Sequence, residues 1–198
     1  GYVLVVDQLA GDASVTASGA DRATFADTLA AARRDHPDAR ILLRLHPETA
    51  AGLRDGHYGA ADPCGRTIRL GGPHSPWRLL DGARAVYTVS SQLGFEAILA
   101  GHRPQVFGVP FYAGWGLSDD RVAVPRRGRR LTPSQLAAVA LVLAPVWYDP
   151  CRDRLCSPEE VVDHLEAAAR AWREDRRGYV MVGMRRWKRP HLRAMFGR

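Results

Sequence analysis

Short apolar runs alternate with amphipathic ones along most of this chain, and no tight two-residue hairpin turn separates them. That order admits few folds, because consecutive strands that cannot turn back directly must lie parallel, joined by helical crossovers. Tyr2–Val6 reads as a strand. Ala23–Arg34 follows as a helix, with Phe25, Leu29 and Ala32 at helical spacing. Ile41–Leu45 is the next strand and Thr67–Leu70 a short third. Ser75-Pro76 is an N-cap with a first-turn proline, opening a helix through Leu80. Ala85–Val89 predicts a strand, Phe95–Ala100 a helix and Gln105–Val109 a further strand. The fold class is therefore α/β with a parallel, Rossmann-like sheet.

Beyond the sheet the pattern changes. Phe111–Arg130, rich in glycine, aromatics and charge, predicts a long loop. Thr132-Pro133-Ser134-Gln135 is a capping box that starts a helix to about Ala144. Ser157-Pro158-Glu159-Glu160 repeats the design for a helix to about Glu174. A domain over residues 1–175 and a basic, aromatic tail over 176–198 follow. The chain opens directly on a strand, without Met or a basic leader, which predicts a fragment.

Charge excludes one class of function. The formal net charge is +7, but residues 1–170 hold equal numbers of basic and acidic side chains. The last 28 residues carry nine basic and two acidic groups and supply the whole excess. A neutral body without a recognisable motif argues against nucleic acid. The tail reads as a solvated segment or as one drawn to anionic lipid. Three cysteines, Cys64, Cys151 and Cys156, lack the spacing of a zinc site, so no metal is expected. No apolar run of about 18 residues is present to cross a membrane.

In an open parallel sheet, ligands collect at the carboxyl ends of the strands. Four stretches qualify. In the first, Asp12 within Gly11-Asp12-Ala13-Ser14 is a carboxylate on a glycine-flanked loop, able to act as base or nucleophile; Asp7 and Gln8 compete, and a turn aspartate bonding its own backbone is the plain reading. In the second, Pro47 forces His46 out of helical geometry and projects its ring from the strand end, where it can bond or protonate a phosphate. Arg44 stands on the same side, two residues earlier. Third, Ser90 and Ser91, followed by Gln92, end a strand and enter a helix, offering hydroxyls and free N–H groups to a phosphate, or simply an N-cap. Glu96, one turn in, can accept from ribose hydroxyls. In the fourth, Tyr112, Trp115, Asp119 and Asp120 have the aromatic and acidic character that sugar or nucleotide recognition uses, or else form a packed loop.

Together these stretches resemble the capsule polysaccharide biosynthesis family, specifically the KpsC-type β-Kdo transferases. The resemblance is carried by Val6-Asp7-Gln8, Gly11–Val15, Arg44-Leu45-His46-Pro47, Val86–Ala97 and Phe107–Leu117, with Asp149-Pro150 and Trp187-Lys188-Arg189. Arg44 stands where the family pattern leads one to expect lysine. The resemblance implies the nucleotide-binding, C-terminal half of a GT-B glycosyltransferase, with the N-terminal acceptor domain and a second module absent from this stretch. It implies CMP-β-Kdo as donor, no cofactor, a Kdo chain on phosphatidylglycerol as acceptor, and retention of β configuration through a covalent intermediate. In that scheme Asp12 is the nucleophile, with Asp7 as fallback, and His46 assists the departing phosphate. Arg44, Pro47, Ser90, Ser91, Gln92 and Glu96 hold the donor, and Tyr112, Trp115, Asp119 and Asp120 shape the nucleotide side. Other capsule assembly proteins are expected partners, at the cytoplasmic face of the inner membrane. A truncated module that binds CMP-sugar without turnover is the competing expectation.

Overall fold

Val3, Leu4, Val5 and Val6 are all buried, and they bury alternate side chains on opposite faces of one strand. A strand apolar on both faces needs cover on both, which places β1 (Tyr2–Val6) at the middle of a sandwich. The computed structural model describes residues 1–59 and 65–174 and bears this out. β2 (Ile41–Arg44), β3 (Thr67–Leu70), β4 (Ala83–Thr88), β5 (Gln105–Val106) and β6 (Asp119–Asp120) join β1 in a six-stranded sheet of order β3-β2-β1-β4-β5-β6. Every pairing is parallel, with Val3 opposite Ile41 on one side and Ala85 on the other.

The helices divide between the faces. α2 (Arg22–Asp35) lays Phe25, Leu29 and Ala32 against Val3, Val5, Leu43 and Tyr87. Its capping box joins Asp21 and Thr24 rather than the Ser/Glu type, which starts the helix one residue earlier than apolar spacing indicates. α4 (Pro76–Gly82) and α5 (Gln92–Leu99) cover the other face, packing Leu79, Leu80, Leu93 and Ala97 on Leu4, Val6 and Val86. Ser75 precedes Pro76 as expected, but its side chain makes no cap hydrogen bond. α5 starts three residues before the expected Phe95, because Ser91 caps it.

Two short helices escape apolar periodicity: α1 (Ala13–Ala17) and α3 (Pro47–Ala50). Each is a single turn set by its cap. The expected strand through Val109 is regular only to Val106, although Phe107 and Gly108 still donate to Thr88 O and Val89 O at 3.0 Å. The stretch 111–130 is not all loop, because Asp119–Asp120 forms the edge strand β6. Charged residues suit such an edge, and Arg121 N–H donates to Val106 O at 2.8 Å.

The chain divides into two compact units, Gly1–Val139 and Ala140–Arg198. The first holds the sheet and α6 (Pro133–Ala138), whose capping box pairs Thr132 with Gln135. In place of the α-helix expected to Ala144, α6 passes into a π-helical turn over Val139–Leu143. Within the second unit, β7 (Tyr148–Asp149) and β8 (Arg154–Leu155) pair antiparallel, and Asp149 turns the chain by accepting from Cys151 N–H at 2.8 Å. α7 (Pro158–Glu174) follows, its Ser157 and Glu160 bonded reciprocally. Among the described residues no helix is long and apolar enough to cross a membrane. The basic tail and Cys64 lie outside the described residues.

Candidate active site

The strand order reverses at β1, whose neighbours β2 and β4 belong to opposite halves of the sheet. Loops leaving β1 and β4 part there, opening a crevice at the carboxyl ends. Gln8 spans it. Its Oε1 accepts from Ser90 N–H at 2.9 Å, and its Nε2 donates to Ser90 Oγ at 3.1 Å and Ser14 Oγ at 3.3 Å. Ser14 Oγ and Ser90 Oγ are themselves 3.4 Å apart.

Asp12 sits on this knot. It is the N-cap of α1, its Oδ1 accepting from Ser14 N–H at 2.8 Å, so the local turn reading is realised and the residue is fixed rather than free on a loop. Partial burial pushes its carboxyl upward. Hydrogen bonds from Ser14 and Gln8, with the field of His46, pull harder and hold it below the ordinary carboxylate value. Oδ1 is committed to the cap. Asp7, the fallback, is buried, with Oδ1 accepting from Gln8 N–H at 2.9 Å and His57 N–H at 3.0 Å. Burial raises its carboxyl despite those bonds. Its Oδ2 is buried without a hydrogen-bond partner and faces Gly56. Asp7 ties the loop around Gly56 to the end of β1 and does not open on the crevice.

His46 ends β2 as the N-cap of α3. Glu48 N–H donates to its Nδ1 at 3.2 Å, so the ring hydrogen is assigned to Nε2. The imidazole is thus a donor in its neutral form. Pro47, exposed at the first position of α3, sets the turn. Arg44 and Glu96 are half-buried and feel each other's charge from β2 and α5. Burial lowers the guanidinium and raises the carboxyl, and each offsets part of the other's shift. Among the described residues neither forms an ion pair.

The two serines differ. Ser90 is buried in the Gln8 knot, whereas half-buried Ser91 caps α5, accepting from Leu93 N–H at 3.3 Å. Gln92 is exposed on the first turn.

Four residues expected on the nucleotide side take part in the aromatic-glycine loop's own structure. Tyr112 is fully buried, and its hydroxyl donates to Ser91 O at 2.6 Å from beneath. Gly94 makes room for it: a Cβ there would stand 2.2 Å from Tyr112 Oη. Trp115 donates Nε1–H to Phe111 O at 2.8 Å and carries Arg127 over its ring. Asp119 binds Arg103 and Gln105 at the sheet edge. Asp120 accepts from Gly114 N–H and Ser118 Oγ. These side chains build the loop, and of the four only Tyr112 is closed off from solvent. Sequence reasoning also gave Gln8 too small a part; the signal was an amide placed two residues after a fully apolar strand.

A family model described as capsule polysaccharide biosynthesis protein matches residues 1–146. The chain belongs to the capsule polysaccharide biosynthesis family. Within this family, the lipopolysaccharide-processing protein LpsZ of Rhizobium meliloti is 39% identical over 159 residues, covering 80% of this chain and 36% of LpsZ. The capsule polysaccharide modification protein LipA of Neisseria meningitidis serogroup B is 34% identical, covering 98% of this chain and 28% of LipA. Among solved structures, the Thermosulfurimonas dismutans KpsC beta Kdo 2,4 transferase superposes with a TM-score of 0.78 at 36% identity, over 83% of this chain and 51% of that one. The KpsC beta Kdo 2,7 transferase of the same organism gives 0.69 at 28% identity, over 85% and 54%. The chain thus spans about half of each KpsC chain and about a third of the curated relatives. The Rossmann-like sheet and the capsule polysaccharide biosynthesis membership that the motifs implied both hold.

Proposed function

We propose that the chain is the sugar-nucleotide-binding half of a retaining β-Kdo transferase module of GT-B architecture, working in capsule polysaccharide biosynthesis with CMP-β-Kdo as donor. The observation that carries this reading is that Gln8 joins Ser14 and Ser90 beside Asp12, whose carboxyl feels the field of His46, where the strand order reverses. Ser91 and the first turn of α5 bind the CMP phosphate, and Gln92 flanks it. Arg44 adds positive charge, and Glu96 accepts from the ribose. No cofactor is needed for this chemistry.

Asp12 Oδ2 attacks the anomeric carbon of Kdo, and the bond from that carbon to the phosphate oxygen breaks, leaving its electron pair on CMP. Nε2–H of His46 donates a hydrogen bond to the departing phosphate. An acceptor hydroxyl then displaces the carboxylate, giving up its proton to a base, and the two inversions restore β configuration. An ionised nucleophile is required, and the hydrogen bonds on Asp12 favour that state. The acceptor is a Kdo chain on phosphatidylglycerol, presented at the cytoplasmic face of the inner membrane alongside other capsule assembly proteins.

Incubating the chain with CMP-Kdo and a Kdo-bearing phosphatidylglycerol acceptor should release CMP and leave a Kdo adduct visible in the intact protein mass. Asp12→Ala should abolish the adduct and slow release roughly a thousandfold. Equal rates in wild type and Asp12→Ala would remove the nucleophile assignment. The competing reading is donor binding without turnover. CMP binding that Ser91→Ala abolishes, with no release, would support that reading.

A further inference from the structure

The segment 121–130 contains Arg121, Arg126, Arg127, Arg129 and Arg130 and no acidic residue, within a body that is neutral overall. Two of these arginines are used internally. Arg121 pairs with Asp35 at 3.6 Å and bonds Gln105 at 2.9 Å. Arg127 donates to Pro110 O and Ala113 O, both at 2.6 Å, and lies 5.5 Å from the Trp115 ring centroid. Arg126, Arg129 and Arg130 are exposed, and among the described residues they form no ion pair and no side-chain hydrogen bond. Arg126 is near enough to depress its neighbour Arg127 after burial has done so, with only Asp120 opposing. Like charges are therefore held together where a carboxylate would ordinarily be interposed.

The patch has a fixed footing. Arg130 runs its stem across Gly116, where an added Cβ would come within 3.2 Å of Arg130 Cγ. Leu131 N–H donates to Trp115 O at 3.0 Å. The aromatic-glycine loop beneath is bolted to the serine loop through Tyr112 and Ser91. It also leaves Phe111 47% exposed, its ring packed against Phe95 and Tyr112.

We infer that Arg126, Arg129 and Arg130 form a docking surface for an acidic saccharide chain, on a segment anchored to the loop that Tyr112 ties to Ser91. The identity of the saccharide rests on the Kdo-transferase reading above. Each Kdo unit carries a carboxylate, so a chain of them repeats the group that a guanidinium fork grips in two places. The surface holds the growing polymer, whereas the serine loop holds the donor.

The test is direct binding of a short, lipid-free Kdo oligosaccharide to the full chain, with no turnover needed. R126A/R129A/R130A should weaken binding by roughly tenfold or more, as expected for the loss of three exposed charge contacts. The same variant should bind CMP within about twofold of wild type. R126K/R129K/R130K, which keeps the charge but not the fork, should recover only part of the affinity, and the carboxyl-reduced oligosaccharide should bind neither protein. Absence of oligosaccharide binding by wild type, or equal affinity in the triple alanine variant, would overturn the inference. So would equally tight binding of single-stranded DNA of matched charge, which would mark a general polyanion surface. If CMP binds nothing and is not released while the arginine-dependent oligosaccharide binding persists, the donor reading falls and this surface stands.

Discussion

At Gly56 an added Cβ would stand 2.2 Å from Asp7 Oδ2, and that oxygen is buried with nowhere to retreat. Gly56→Ala should therefore destabilise the chain by about 1–3 kcal/mol, the usual cost of forcing atoms into a filled space. The loss should shrink in an Asp7→Ala background, where the clashing carboxyl is gone. Additive effects of the two substitutions in urea unfolding would contradict the contact. Residue identity alone could not reveal this pair, because a carboxylate after a strand looks the same whether it faces a ligand or a glycine. The same limit explains Tyr112, Asp119 and Asp120. Their residue types fit sugar recognition, but the Ser91 carbonyl accepts from Tyr112, and Arg103, Gln105 and the Gly114 amide donate to the two acids. Asp12, His46 and Ser91 were legible as strand-end residues because each is of a type that caps the helix that follows.

Between elements, the Gln8 side chain does what main-chain pairing cannot, joining the loops after β1 and β4 beyond the last ladder bond. Gln8→Ala should cost about 1–3 kcal/mol, because Ser90 N–H would be left buried without its acceptor. It should also weaken CMP binding, since the serine loop loses its register. Unchanged stability with full CMP affinity would mean that water or another group replaces the amide. The longer elements followed from side-chain periodicity, because α2 and β1 to β4 bury regular faces. α1 and α3 are too short for a period to develop. β6 takes its strand character from the carbonyls of Pro104 and Val106, which its own two aspartates do not announce.

Over the whole chain, charge is segregated, with the +7 excess confined to the last 28 residues. Near an anionic lipid surface each basic side chain contributes about 1 kcal/mol of attraction. Removing residues 176–198 should accordingly weaken sedimentation with phosphatidylglycerol vesicles. Undiminished binding would assign any lipid affinity to the body instead. The order of strands carries a different consequence, for synthesis. Of the six strands β1 leaves the ribosome first, yet one of its two partners, β4, is completed only at Thr88. Until then an assembling β1-β2-β3 sheet presents the amides of Leu4 and Val6 along an open, aliphatic border, the kind of edge on which neighbouring nascent chains aggregate.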